Sequence, residues 1–325
     1  MTKATARANA NIAFIKYWGN RDHDLRLPVN SSLSMNLDGM YTETTVYWED
    51  ALSVDELILN GQPASPPALD RVSKHLDHLR SRLGEKRSAR VESSNNFPTG
   101  AGIASSASAF AALTMAAVAA SGEKFDEKEL TTLARLGSGS ASRSIPTGFV
   151  KWYAADNHAD SFAESIASPS HWDLIDVVAI ISKDHKATTS QAGHVTADTS
   201  DLQRARVAGA SARLRKCEEA ILSQDFSGFA EVVELDSNLM HAVMMTSQPA
   251  LFYWLPDTLA VMESVRQWRQ QGLSVCYTLD AGPNVHCICL SRDADEVRNR
   301  LQNLSGIQDI RTASPGEGAV VVTTS

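Results

Sequence analysis

The sequence predicts an α+β protein of two domains, and three observations carry that expectation. The 325-residue chain has room for two ordinary domains at roughly 150 residues each. Segments with the period-two alternation of strands and segments with helical spacing occur in both halves. The pattern changes near residue 185, where a polar stretch, 183–200, leads into three long helical segments. We expect an N-terminal α+β domain over residues 1–185 and a C-terminal α+β domain over 186–325.

Taken in order, 11–18 reads as a strand, 19–24 as a polar turn and 33–37 as a second strand. Residues 42–48 alternate in β fashion, and 57–59 followed by Asn60-Gly61 suggest a hairpin. The prolines of 63–67 make a loop, and 69–83 shows helical spacing with a charged outer face. A short strand over 90–96 runs into a turn at 98–102 that opens an alanine-rich helix. A further helix covers 126–136, with Asp126 as its N-cap. Strands follow at 149–154 and 174–182, the second nearly continuously apolar and so buried on both faces. Beyond the polar stretch come helices at 202–222, 226–244 and 253–271, strands at 274–278 and 285–290, a helix at 294–304 and a last strand at 318–323.

Composition narrows the function classes. With 30 Lys+Arg against 38 Asp+Glu, the net charge of −8 argues against a nucleic-acid binder, which would present a basic face. Cys217, Cys276, Cys287 and Cys289 form no C-x-x-C pair and read as small buried hydrophobes in a reducing compartment. The first residues are followed by no apolar run of the secretory kind. Residues 101–120 carry no charge and are long enough to span a bilayer. They are mostly Ala, Ser and Gly, without aromatic or basic belts, so a helix buried within the protein is expected instead. These features point to a cytoplasmic protein without membrane attachment.

The segment of greatest chemical interest is 95–108, Asn-Asn-Phe-Pro-Thr-Gly-Ala-Gly-Ile-Ala-Ser-Ser-Ala-Ser. A strand ends, small residues turn, and a helix begins with free N–H groups and a favourable dipole. That arrangement suits a phosphate; it equally suits a small-residue helix packed closely on a sheet. It is not a Walker A loop, because no Gly-Lys-Ser/Thr follows. A second cluster, Gly137-Ser138-Gly139-Ser140-Ala141-Ser142-Arg143-Ser144, places hydroxyls and a forked cation together, as an anionic substrate requires. Lys16 lies in the apolar run Ile15-Lys16-Tyr17-Trp18 and needs an acidic partner or a bound anion if it is buried. Asp280, ending an apolar strand before Ala-Gly-Pro-Asn, is a candidate for that partner or a turn-forming residue. His241 reads as a core histidine.

Together these segments resemble the GHMP kinase superfamily and, within it, the mevalonate diphosphate decarboxylase family. The likeness rests on Asn11–Gly19, Leu27–Ser34, Asn95–Ser108, Gly137–Ser144 and Asp280–Asn284, in the family's order and across almost the whole chain. It implies an N-terminal domain like ribosomal protein S5 domain 2, a ferredoxin-like C-terminal GHMP domain, and an active site in the cleft between them. It implies ATP and Mg²⁺ as cofactors and a phosphorylated mevalonate as substrate. The tertiary 3-hydroxyl is phosphorylated, and the phosphate then leaves together with CO₂.

By the same resemblance Asp280 contacts the 3-hydroxyl, Lys16 holds Asp280 and the transferring phosphoryl group, and Arg143 grips the carboxylate. Asn11, Tyr17, Asn20, Ser138, Ser140, Ser190 and Gln191 would line the substrate. Asn95, Pro98, Gly100, Ala101, Gly102, Ala104, Ser105 and Ser106 would hold the nucleotide, with Ser106 near the metal. A homodimer is expected.

Departures from the family pattern bear on the substrate. Where the diphosphate enzymes read Tyr-Trp-Gly-Lys, this chain has Asn20; Gln191 stands where an arginine is usual; and Thr147-Gly148 replaces a Gly-Gly pair. Each lost charge-assisted contact is worth roughly 1.5–3 kcal/mol, about one to two orders of magnitude in affinity. The expectation from these losses is a 5-monophosphate substrate, giving isopentenyl phosphate. The alternative keeps the 5-diphosphate, with His194, Lys186 or Arg21 supplying the charge. A kinase that stops at 3-phosphorylation and a ligand-binding protein without catalysis are the remaining readings.

Overall fold

A computed structural model describes residues 2–97, 105–183 and 190–324, with the side chains of Ser190 and Gln191 outside that description. The first layer is a mixed sheet. Its main path runs β14 (Val320–Thr324), β1 (Thr2–Ile15), β4 (Ser32–Glu49), β7 (Ser88–Asn95), β5 (Glu56–Leu59), β6 (Gln62–Pro63). A branch off β4 adds β8 (Phe149–Trp152) and β9 (Ala163–Ala167). The β5–β7 pair is parallel and the others antiparallel.

Alternation along β1 sends Ala4, Ala6 and Ala8 into a core shared with helix α2 (Ser105–Ser121). Alanine faces alanine there: Ala111, Ala112, Ala116 and Ala117 of α2 are all fully buried. Small residues on both surfaces let helix and sheet approach closely. That is why the described part of the uncharged segment, from Ser105 on, is a buried helix, and no helix among the described residues is long and apolar enough to cross a membrane. Helices α1 (Pro66–Leu83) and α3 (Glu127–Gly137) complete the layer, and the Asp126 side chain caps α3 by accepting from Glu129 N–H.

The second sheet has the order β11 (Val275–Thr278), β12 (Val285–Leu290), β10 (Leu174–Ile180), β13 (Asp309–Ala313), all antiparallel. Over it pack α5 (Gln203–Ser223), α6 (Phe226–Thr246), α7 (Pro256–Gln270) and α8 (Ala294–Gln302). The chain passes from the first sheet to the second between Ala167 and Leu174, upstream of the expected division at 185, and β14 returns it to the first sheet.

The far half of β1 belongs to both layers. Ala10, Ile12, Phe14 and Ile15 share one core with Val178, Ile180, Ile221, Phe229 and Ile288. The first strand is thus delivered end-on into the junction of the two halves. All four cysteines are buried and free, as their apolar settings implied.

Several elements differ from the sequence reading. The opening strand starts at Thr2 and stops at Ile15, because the backbone groups of Lys16, Trp18 and Gly19 bond to side chains of the second half instead of to a ladder. The polar stretch contains α4 (Ser190–Thr196). The third long helix begins at Pro256, since Leu255 before a proline stays extended and proline suits the first helical turn. Strands β9 and β13 are short and half-exposed, and carry too little apolar alternation to announce themselves.

Candidate active site

Lys16 and Asp280 meet across the junction. Lys16 Nζ donates to Asp280 Oδ1 at 2.8 Å, with the lysine side chain 1% exposed and the carboxylate 24% exposed. One partner is thus sealed in protein and the other is partly open to solvent.

The lysine backbone is clamped. Asp236 of α6 accepts from Lys16 N–H at 2.7 Å and from Arg213 Nε at 2.6 Å. Arg206 of α5 donates to the carbonyls of Lys16 and Trp18 at 2.7 and 3.2 Å, and Asn30 Nδ2 donates to Lys16 O at 3.0 Å. Gln203 Nε2 donates to Trp18 O at 2.9 Å. Gly19 has φ +101°, and a Cβ there would stand 2.5 Å from that same Gln203 nitrogen, so glycine is required by backbone and by space.

Asp280 is held as firmly. It opens a turn closed by Gly282 N–H donating to Asp280 O at 2.8 Å. Asn284 pins the turn to the end of β10, its Oδ1 accepting from Ile181 and Ser182 N–H at 2.7 and 3.1 Å. Leu279 N–H bonds Ser237 Oγ at 3.0 Å, and Thr258 Oγ1 of α7 donates to Pro283 O at 2.8 Å.

The electrostatics follow from burial and neighbours. Burial would push the Asp280 carboxyl up, but Lys16, then His286 and Arg143, pull it below its ordinary range. Burial also depresses the Lys16 ammonium, only partly offset by Asp280 and Asp236. Arg143 is lowered to about 10 by burial, with Asp280 and Tyr17 opposing. His241 is buried beneath the Asp280 turn, its ring 5.0 Å from that of Trp254, and burial drives it down to about 3. It is a neutral core histidine, as expected, and it lies within electrostatic reach of both Lys16 and Asp280.

Arg143 sits in the 3₁₀ turn Gly139–Ser144, 3% exposed. Its Nη1 donates to Ser32 Oγ at 2.7 Å and its Nη2 to Asn11 Oδ1 at 3.3 Å; no carboxylate pairs with it among the described residues, and its buried Nε has no partner. Asn11 Nδ2 donates to Ser144 Oγ at 2.8 Å and to Ser140 O at 3.2 Å. A buried guanidinium held by neutral groups is a ready receptor for an anion.

The serine cluster adjoins it: Ser106 Oγ is 3.2 Å from Ser138 Oγ, which is 3.4 Å from Ser140 Oγ. Tyr17 closes this side. A Cβ on Gly139 would fall 2.5 Å from its ring, and its hydroxyl donates to Asn20 Oδ1. Burial raises the Tyr17 phenol to about 12, so it remains a donor. His194 of α4 stacks on Tyr17 at 4.1 Å and accepts from Gly19 N–H at 3.0 Å through Nδ1.

The structure therefore brings together Asp280, Lys16, Arg143, Asn11, Tyr17, Asn20, Ser138, Ser140 and Ser106. Ser105 opens α2 beside Ser106. Asn95 reaches the same helix through Thr42, whose Oγ1 lies 2.5 Å from Asn95 Oδ1 and 2.6 Å from Ser108 Oγ. Pro98, Gly100, Ala101, Gly102 and Ala104, the side chains of Ser190 and Gln191, and Lys186 lie outside the described residues. Arg21 is engaged by Asp156 at the surface. Sequence reasoning missed Asp236, Arg206, Arg213 and Gln203, which lie on helices of ordinary composition. It also missed Arg26 and Arg71, which donate to the carbonyls of Leu136 and Gly137 at the end of α3, just before the serine turn.

No group of three or more His, Cys, Asp or Glu converges among the described residues. A hard divalent ion here would be held mainly by phosphate oxygens and water, with a hydroxyl such as that of Ser106. Ser105 and Ser106, at the start of a helix whose first turn holds no acidic residue, fit phosphate.

Comparison with known proteins places this geometry. The family model "Diphosphomevalonate decarboxylase-like N-terminal domain" matches residues 8–163, and "Mevalonate 5-diphosphate decarboxylase C-terminal domain" matches 176–319. The chain is 38% identical over 326 residues to the diphosphomevalonate decarboxylase mvd1 of Aspergillus fumigatus, covering 94% of this chain and 81% of that protein. The crystal structure of mevalonate diphosphate decarboxylase from Staphylococcus aureus superposes with TM-score 0.95 at 35% identity, covering 99% of this chain and 98% of that one. The structure of MDDEF in complex with MVAPP, AMPPCP and magnesium superposes with TM-score 0.93 at 36% identity, covering 98% of each chain. These relatives are named for, or bound to, the diphosphate, so the expected 5-monophosphate substrate finds no support in them.

Proposed function

The chain belongs to the diphosphomevalonate decarboxylase family, and from that premise we propose that it catalyses ATP- and Mg²⁺-dependent decarboxylation of mevalonate 5-diphosphate to isopentenyl diphosphate. The observation that carries the reading is the Lys16–Asp280 pair at 2.8 Å, set beside the Arg143 guanidinium, which has no carboxylate partner among the described residues, and the Ser106–Ser138–Ser140 hydroxyls.

ATP, with Mg²⁺ on its phosphates, supplies the phosphoryl group that turns a tertiary alcohol into a leaving group. Asp280 accepts the hydrogen bond of the 3-hydroxyl and fixes its lone pair for transfer; the proton passes to Asp280 as the new O–P bond forms. Lys16 keeps Asp280 ionised and neutralises charge on the group in flight. Arg143 holds the C1 carboxylate through its fork. When the 3-phosphate leaves, the electron pair of the C1–C2 bond becomes the new alkene and CO₂ departs. Positioning and charge stabilisation carry such a reaction. In this reading residues 1–185 supply most of the nucleotide contacts and 186–325 the carboxylate. A cytoplasmic location accords with the four free, buried thiols, and the homodimer of the sequence reading is part of the same proposal.

One observation favours a second substrate: position 20 is a neutral asparagine already engaged by Tyr17, as a 5-monophosphate would tolerate. The test is kcat/KM on mevalonate 5-diphosphate and 5-phosphate side by side, following ADP and CO₂. A clear preference for the monophosphate overturns the diphosphate reading; ADP without CO₂ overturns the decarboxylase.

A further inference from the structure

Two guanidinium groups beside the serine turn have no carboxylate partner among the described residues. Arg26 stands just before β3 (Leu27–Pro28) in left-handed backbone, φ 50°, and its Nε donates to Leu136 O at 2.7 Å. Arg71, on α1, donates to Gly137 O at 3.1 Å, lies 4.5 Å over the Phe110 ring and keeps a buried Nε without partner. Leu136 and Gly137 are the last two residues of α3, so both cations gather at the negative end of that helix. Ser138-Gly139-Ser140 follows immediately.

The stretch 136–144 thus has a cation at each end. Arg143 is at one end, tied to Asn11 and within electrostatic reach of Asp280 and Lys16. Arg26 is at the other, within reach of Arg71 and of Tyr17, the ring that carries Asn20 on its hydroxyl. Burial lowers Arg26, with Tyr17 opposing, and takes Arg71 down to about 10, with Arg26 lowering it further. A branched acid whose five-carbon backbone has its carboxylate at C1 and its phosphate at C5 matches this polarity, with the serine hydroxyls between.

We propose that Arg26 is a specificity-determining residue that receives the phosphate at the C5 end of the substrate, supplying the positive charge that Asn20 does not. The inference rests on the phosphorylated-mevalonate reading above and names the residue that reads the anionic end.

The experiment uses the full chain with Arg26→Ala and Arg26→Gln, the second able to keep a donor toward Leu136 O. Steady-state kinetics on the 5-diphosphate should show KM rising about ten- to a hundredfold with kcat near that of the parent, the loss of one charge-assisted contact. Inhibition by inorganic pyrophosphate should weaken by a similar factor, while ATP affinity and the thermal midpoint stay close to the parent's. An unchanged KM and an unchanged pyrophosphate inhibition constant in either folded variant overturn the assignment. If the parent itself turns over only the 5-monophosphate, the substrate reading fails separately. The variants are then scored on that substrate, where an unchanged KM again removes Arg26 from the site.

Discussion

Replacing Asp236 with alanine should damage stability and turnover together. The residue is 1% exposed and joins two things that do not otherwise meet: the Lys16 amide at 2.7 Å and the Arg213 guanidinium at 2.6 Å. Without it, Arg213, itself mostly buried, keeps among the described residues its bond to Arg206 O at 2.7 Å and has no carboxylate partner there. Leaving one member of a buried ion pair uncompensated costs about 3–5 kcal/mol. The orphaned Lys16 N–H adds about 1–3 kcal/mol more if water cannot reach it. Against a total stability of about 5–15 kcal/mol, the loss is a large fraction. The Lys16 backbone would also lose an anchor beneath the Nζ–Asp280 contact, and a displacement of about 1 Å at a reacting group costs roughly a hundredfold in rate. Asp236→Asn keeps an acceptor for the amide but removes the charge from Arg213, and should fall between parent and alanine in both properties. Urea unfolding followed by tryptophan fluorescence, with ADP release on the same preparations, reads both quantities. An alanine variant within about 1 kcal/mol of the parent and within twofold in turnover would refute the clamp.

Asp280→Asn should lower turnover by about two to four orders of magnitude while ATP affinity holds, measured by ADP release and nucleotide titration; near-normal rates would remove Asp280 from the chemistry. Arg143→Gln should raise KM for the acid about ten- to a hundredfold, the worth of one charge-assisted contact, with little effect on ATP binding. His75 and His241 are both driven to about 3, chiefly by burial, so in the folded state they stay neutral where the unfolded chain becomes protonated. Their contribution is complete above about pH 6.5. Below that pH it falls by up to about 1.4 kcal/mol per pH unit per histidine, until their folded pKa is reached. Urea titrations at pH 7, 6 and 5 read the slope, and His241→Phe should flatten it. Lys16→Met takes away the strongest pull holding the Asp280 carboxyl down and leaves burial to raise it, so the acid limb of kcat/KM should move to higher pH. A limb that stays in place, or moves to lower pH, would deny that Lys16 sets the ionisation of Asp280.

Much of this site was legible because its residues break local rules. Lys16 interrupts an apolar run, Asp280 ends a buried strand, and Arg143 follows a run of glycine and serine; each demands an explanation in the sequence itself. The residues that hold them demand none. Asp236, Arg206 and Gln203 look like ordinary charged or polar positions of amphipathic helices, and only the docking of α5 and α6 against the end of β1 turns them inward. The same blindness extended β1 to Trp18. Tyr17 and Trp18 continue the apolar run past Lys16, but the backbone groups of Lys16 and Trp18 find side-chain partners on the other half of the protein, and no pattern of hydropathy reports that. Arg26 escaped because its meaning depends on a carbonyl at the end of α3, 110 positions away.

Asp280's ionisation bears on what it can do. In the proposed reaction, a carboxyl held below its ordinary range is a weak base and would take little of the proton from the tertiary alcohol at the start. It is a strong hydrogen-bond acceptor at every pH near neutrality, and the turn that carries it is pinned by Asn284 and Thr258. Phosphoryl transfer through a loose transition state asks for that combination, because the attacking oxygen becomes acidic only as its bond to phosphorus forms. Lys16 then serves one end in two ways. Its charge keeps the acceptor ionised inside a pocket where burial would neutralise it, and its own burial, maintained by Asp236 and Arg206, prevents water from taking its place. The orienting role of Asp280 and the depth of Lys16 are therefore one requirement, met by anchoring the end of the first strand to helices of the opposite half.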